Sequence, residues 1–277
     1  EYRSGFPVDM RLTGIVGSGA SSYPTVGSRL TGIRYMTSHN DAAENNWTAQ
    51  TWDYNNGFMN TAANTENTDL FSYMFKRAKG YFDVVAYNGN GTAGRTVAHS
   101  LGVTPEMMWV KSRNSGVQSW RVYNASLGAT HALNLNGDNA AFALSRGWNN
   151  TAPTNSSFTV GDAGSTNDSS QTYIAYLFAT LAGISKVGSV AHSGSSTDVD
   201  CGFSNGARFV LLKRTDATGD WYVWDSIRGI VTGNDPYFFL NTTGGSVTGT
   251  DLVDPLSSGF TITGDFTDGT YLFLAIA

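Results

Sequence analysis

Six aspartates stand out as the residues most easily put to chemical use: Asp225, Asp235, Asp251, Asp254, Asp265 and Asp268. A glycosidase sets two carboxyl groups about 5 to 10 Å apart across a cleft, one protonating the leaving oxygen and the other acting as base or nucleophile. Asp225 follows Trp224, an aromatic on which a sugar ring could rest. Comparison within the chain argues against that chemistry. An earlier, similar segment carries Asn124 at the matching position, and an amide has no acid proton to deliver. Asp235 precedes Pro236, which is a turn signal. These acids are therefore read as turn and strand-end residues, and the chain as non-enzymatic, with no catalytic residue and no cofactor.

Other chemistries meet similar obstacles. The four histidines, His39, His99, His131 and His192, have no metal-type partner two or four residues on, and there is no HExxH. His99 and His192 sit in matching Val-Ala-His-Ser runs and are read as hydrogen-bonded turn residues in equivalent places. Asp198–Asp200 and Asp265–Asp268 are too poor in ligands for a calcium loop. The glycine-rich run from Gly89 to Gly94 lacks the following helix that a phosphate cradle needs, so it is a hairpin turn. Cys201 is alone, cannot form an internal disulfide, and is read as a small buried apolar residue.

Aromatic side chains are the better binding candidates. There are 35 of them in 277 residues. Trp47, Trp52, Tyr54 and Trp148 fall in loops, where they would stack on a glycan or pack in an interface or core, with the interface or core favoured. Charged residues make up only 14 % and the net charge is −5. The densest basic run, Lys76, Arg77 and Lys79, is too small to neutralise many phosphates, so nucleic acid is not expected as a partner. No run of 18 apolar residues and no secretory leader pattern occurs, so membrane insertion is not expected.

These side chains must be positioned by a repeated element. MMWVKSRNSGVQSWRVYNASLG (Met107–Gly128) matches FVLLKRTDATGDWYVWDSIRG (Phe209–Gly229): an apolar run closing on Lys111 or Lys213, a polar turn, then a Trp-led alternating strand ending in glycine. That is a β-hairpin. Matching segments continue on both sides. A divergent copy precedes them, in which Pro7–Met10 parallels Thr104–Met107 and Gly57-Phe58 parallels Gly259-Phe260. Phe75, Phe178 and Phe273 are read as equivalent closing residues, 103 and then 95 residues apart. The expected architecture is all-β: tandem antiparallel, jelly-roll-like β-sandwich repeats over residues 1–79 (divergent or truncated), 80–182 and 183–277. Asp138–Arg146 is predicted to make a helical turn or two, with Asp41–Asn46 in the corresponding place. The joints, Lys76–Gly80 and Ala179–Gly183, contain no flexible spacer and predict a stiff array with the copies in a line. The start at Glu1 and the short first copy predict more polypeptide before it.

GYFDVVAYNGNGTAGRTVAHSLGVTPEMMWVK, WNNTAPTNSSFTVG, TYIAYLFATLAGISKVGS and GARFVLLKRTDATGDWYVWDSIRGIVTGNDPYFFLNTT, with the ending YLFLAIA, resemble a repeat domain of virion structural proteins of marine tailed phages. The resemblance covers nearly the whole chain and is specific from about Tyr73 onward. It implies a place on the virion surface in a fibre or appendage, association with other virion proteins, and a homo-oligomer, by analogy with fibres a homotrimer. The Asn-x-Ser/Thr sites at Asn46, Asn90 and Asn124 would carry no glycan there. A receptor- or host-glycan-binding adhesin and a capsid decoration protein are the alternatives.

Overall fold

The structure is a computed structural model describing residues 2–15, 23–47, 50–60 and 70–277. It is built almost wholly of antiparallel strands, and its sheets draw on three successive sets of strands, here called units. Unit one carries β1 (Tyr2–Arg3), β2 (Met10–Ile15), β3 (Thr25–Ser28), β4 (Arg34–Thr37), β5 (Asn45–Asn46), β6 (Gln50–Thr51), β7 (Gly57–Asn60) and β8 (Leu70–Phe75). Unit two carries β9 (Phe82–Asn88), β10 (Arg95–Ala98), β11 (Met107–Ser112), β12 (Arg121–Asn124), β13 (His131–Asn134), β14 (Phe142–Ala143), β15 (Ser157–Val160) and β16 (Thr172–Phe178). Unit three carries β17 (Ser185–His192), β18 (Thr197–Asp200), β19 (Phe209–Arg214), β20 (Trp221–Asp225), β21 (Tyr237–Phe239), β22 (Val253–Leu256), β23 (Gly259–Ile262) and β24 (Gly269–Ile276).

Each unit pairs one large sheet with one small one. The orders are β5-β4-β3-β2-β8 with β1-β7-β6, β14-β13-β12-β11-β16-β9 with β10-β15, and β17-β24-β19-β20-β21 with β18-β23-β22. In units two and three the first strand pairs with the last and the second with the next strand inward, the nested pairing of a jelly roll. The central strands are apolar on both faces because both faces are covered. In β11, Met107 and Trp109 face a core shared by all units, while Met108 and Val110 face the small sheet of their own unit.

The shared core decides the arrangement. Met10 and Leu12 of unit one, Trp109 and Trp120 of unit two, and Leu211 and Trp221 of unit three belong to one apolar cluster. Neighbouring units are clasped by repeated bonds. Trp120 Nε1 donates to the Thr37 carbonyl (2.9 Å), and Trp221 Nε1 donates to the Asn134 carbonyl (2.8 Å). Lys111 Nζ donates to Asp41 O, and Lys213 Nζ to Asp138 O and Asn139 O. Unit one also meets unit three: Ser38 Oγ donates to Leu240 O at 2.6 Å, and Phe71 packs edge-on against Phe238. The array closes on itself instead of running in a line. The joints explain this. In each, a glycine with positive φ, Gly80 (78°) or Gly183 (72°), completes a tight turn bridged by Ala78 and Phe82 or Leu181 and Ser185.

Registers correct three details. Met107 pairs with Phe178 and Phe209 with Ile276, so Phe178 matches Ile276 instead of Phe273; the spacing from Phe75 is then 103 and 98 residues. Trp120 and Trp221 do coincide. The two Val-Ala-His-Ser runs lie on different strands: His192 ends β17, whereas His99 follows β10. The predicted helix over Asp138–Arg146 is displaced, and one short turn, α1, occupies Ser145–Trp148. The Asp138 and Asn139 carbonyls are taken by Lys213 and Gly219 of unit three, so they cannot accept bonds from a following helical turn. The corresponding Asp41–Asn46 stretch is extended and forms β5 at its end.

Candidate functional site

The large sheet of unit one ends at β8, whereas its counterparts β16 and β24 are covered by β9 and β17. No described residue pairs with the outer edge of β8. A groove of about 640 Å³ runs along that edge, from Phe71 to Lys76, and its far wall is the end of unit three, including Phe209, Arg228 and Ala277. Phe71 and Tyr73 are only partly buried here, although their counterparts Ile174, Tyr176, Leu272 and Leu274 are fully buried. Ile227, at the rim, is 85 % exposed.

Three polar side chains of the groove, Tyr73, Asp225 and Arg228, are engaged with one another, and Lys76 and Arg208 also line it. Asp225 accepts from Tyr73 Oη (2.7 Å), Arg228 Nε (2.5 Å) and the Ile227 and Arg228 backbone amides (2.9 Å each). Four donors saturate a carboxylate. Burial pushes the Asp225 carboxyl up, but the adjacent Arg228 charge and the hydrogen bonds from Arg228 and Tyr73 outweigh it and hold the group below its usual range. Arg228 lies 4.1 Å over the Phe71 ring and also bonds Ser246 Oγ and Tyr73 Oη. Asp225 is the one carboxylate among the described residues lining the groove. This arrangement fixes the junction of units one and three; it does not offer the spaced pair of carboxyls needed for glycoside cleavage. Trp224 is fully buried and presents no face to a sugar.

The four candidate aromatics are dispersed. Trp52 is buried, donates to Gly32 O at 2.7 Å and stacks on Phe58. Trp148 is 1 % exposed, donates to His131 O and meets Tyr123 edge-on. Neither can stack on a glycan, because each ring is enclosed in its own unit. Trp47 is half-buried over the guanidinium of Arg11, 4.9 Å away, and Tyr54 is half-buried. Arg11 explains this cluster. It sits between the sheets of unit one where the other units have Met108 and Val210, and bonds Gln50, Thr13 and Thr25.

Several of the remaining candidates have structural partners, whereas Asp251 Oδ1 and Asp254 Oδ1 are buried with no hydrogen-bond partner among the described residues. His192 is buried between Thr197 Oγ1 and Phe266 O, and His99 contacts Thr154 O. Asp198 accepts from Thr261, Asp200 from Gly202 N and Asp268 from Gly194 N. Among the described residues no group of three or more His, Cys, Asp or Glu is placed to hold a metal ion, and no helix is long and apolar enough to cross a membrane. Cys201 is buried, which pushes its thiol up to about 12. Sequence reasoning missed Tyr73, Arg228 and the groove itself.

Three jelly-roll-like sandwiches gathered round one shared core define the class of this molecule. The chain belongs to the family described as Domain of unknown function (DUF7483), whose model matches residues 22–277. No curated protein and no solved structure matches it.

Proposed function

We propose that this chain is a non-enzymatic structural protein of a phage virion, part of a fibre or appendage on the particle surface, associating with other virion proteins and with copies of itself as a homotrimer. The observation that carries the non-catalytic reading is the saturated Asp225: the acid that lines the groove beside β8 is committed to Tyr73, Arg228 and two backbone amides. Three sandwiches clasped through buried tryptophans suit a structural role. The resemblance to tailed-phage repeats supports the location. Antibody labelling of intact particles tests it; the expected result is gold on fibres or appendages, and absence of the protein from purified particles overturns the reading. Native mass measurement tests the threefold association separately.

A further inference from the structure

We propose that Asn56 is a site of spontaneous covalent modification, converting to isoaspartate through a cyclic imide formed with Gly57, and that this change releases the Ser4-Gly5 segment bonded to it. The inference goes beyond the virion reading and stands without it. Five asparagines of the chain precede a glycine: Asn56, Asn88, Asn90, Asn136 and Asn205. A glycine lacks the side chain that would shield its amide nitrogen, so each pair carries the same chemistry. At Asn56, the Gly57 nitrogen attacks Cγ while its proton passes to hydroxide; the Cγ–Nδ2 bond breaks and ammonia leaves. Water then opens the imide. Attack at Cγ gives aspartate. Attack at the main-chain carbonyl gives isoaspartate, in which the chain runs on through Cγ. Water is the only reagent consumed.

The fold separates the five. An amide whose hydrogen is held by a carbonyl is a poor nucleophile, because the proton it must lose is engaged and its position is fixed. Gly89 N donates to Gln171 O (2.8 Å), Gly91 N to Asn167 O (2.7 Å), Gly137 N to Asn134 O (3.4 Å) and Gly206 N to Ser257 O (2.7 Å). Two of the asparagine side chains are held as well: Asn90 Oδ1 accepts from Thr92 N and Asn167 Nδ2, and Asn136 Oδ1 from Trp120 N. Asn56 has neither restraint. It is exposed in the turn between β6 and β7, its side chain has no hydrogen-bond partner among the described residues, and Gly57 N closes that turn too loosely to bond a carbonyl. Asn205 is the informative contrast: it too is exposed with an unbonded side chain, and the Gly206 bond to Ser257 sets it apart. The Asn56 carbonyl accepts from Ser4 N (2.8 Å) and Gly5 N (3.2 Å), anchoring the chain that leaves β1. In isoaspartate that carbonyl leaves the main chain and becomes a free carboxylate, so both donors lose a fixed acceptor.

The test incubates the 277-residue chain at mildly alkaline pH and maps its peptides by mass, beside a sample kept in denaturant. In the folded chain Asn56 should react about tenfold faster than the other four, the rate equivalent of one backbone hydrogen bond. In denaturant that advantage should disappear. Another of the five reacting as fast as Asn56 in the folded chain overturns the site, as does an intact Asn56 where the denatured sample reacts. An advantage that persists in denaturant belongs to local sequence and overturns the argument from the fold. Hydrogen exchange at Ser4 and Gly5 reads the release. It should quicken in the chain carrying isoaspartate. Asn56→Asp adds the same charge on an unaltered main chain and should keep the parent's protection, and Asn56→Gln should neither react nor lose it. Unchanged exchange in the isoaspartate chain, or an equal loss in Asn56→Asp, overturns the release.

Discussion

Lys111 and Lys213 are fully buried, and each ammonium donates to three backbone carbonyls, two of the three partners of Lys213 lying in unit two. Lys213→Met keeps the stem and removes the donors, leaving carbonyls unsatisfied, and should cost about 2 to 4 kcal/mol in denaturant unfolding. Burial pushes both amines down to about 8, below the value of about 10.4 expected in an unfolded chain. Between those values the unfolded state binds more protons, so stability should rise as pH increases from about 8 to 10. The rise should shrink in each single methionine variant and be lost in the double variant, where the raised Cys201 thiol leaves a slight fall with pH. Asp225 has the same sign in a lower window: its carboxyl is held below the usual range, so its contribution is present above about pH 4 and is lost as pH falls through the folded value. Asp225→Asn, which introduces the residue found in unit two, should still cost about 2 to 3 kcal/mol, because Arg228 would remain charged beside two aromatic rings without its partner. A denaturation midpoint equal to that of the parent protein would show that Asn is tolerated there.

At the scale of strands and turns, the tryptophans separate core from surface. Trp148 closes α1 and is enclosed by unit two, so Trp148→Ala should lower stability by about 3 to 5 kcal/mol and leave any glycan binding of the folded fraction unchanged. Trp221→Ala should cost a similar amount, since its ring is buried and its indole nitrogen bonds across to unit two. A thermal melt of each variant checks both. The hairpins were legible because alternating residues around Trp120 and Trp221 record which side chains face inward. The register of the last strand was not. TYIAYLF and TYLFLAIA offer several aromatic matches, and only pairing with β11 and β19 shows that Phe178 corresponds to Ile276. The helix over Asp138–Arg146 failed for a different reason: the carbonyls it needed bond to a neighbouring unit, and no local pattern reveals a partner about 75 residues away. For Trp52 and Trp148 the sequence left core and exposed loop open, because a loop tryptophan whose indole nitrogen finds a carbonyl can be as buried as one on a strand.

For the whole molecule, the shared core predicts unfolding as one cooperative event. The sheets of all three units contribute to the same apolar cluster, so no unit buries its large-sheet face alone. A fragment of residues 183–277 should therefore be unfolded or aggregated by circular dichroism and gel filtration, while the 277-residue chain should show a single calorimetric transition. A folded, monomeric fragment with a sharp melt would contradict this. The closed arrangement itself was not legible, because short joints look alike whether they extend a line or turn it. The turn depends on positive-φ glycines and on contacts between units that lie far apart in sequence, such as Ser38 with Leu240.

The third junction differs from the other two in kind. Units one and two, and units two and three, are tethered by joints that keep each clasp at high effective concentration. Units one and three have no such joint, and register places Gly14 and Pro24 where the other units carry their clasping lysine and tryptophan. Ser38, Tyr73, Asp225 and Arg228 must hold this junction by side-chain contacts, with the loop entropy of the whole chain set against them. The molecule is thus two hinges and a latch. Pulled apart, it should part first at the latch, opening as a chain of three intact sandwiches before any one of them loses a strand.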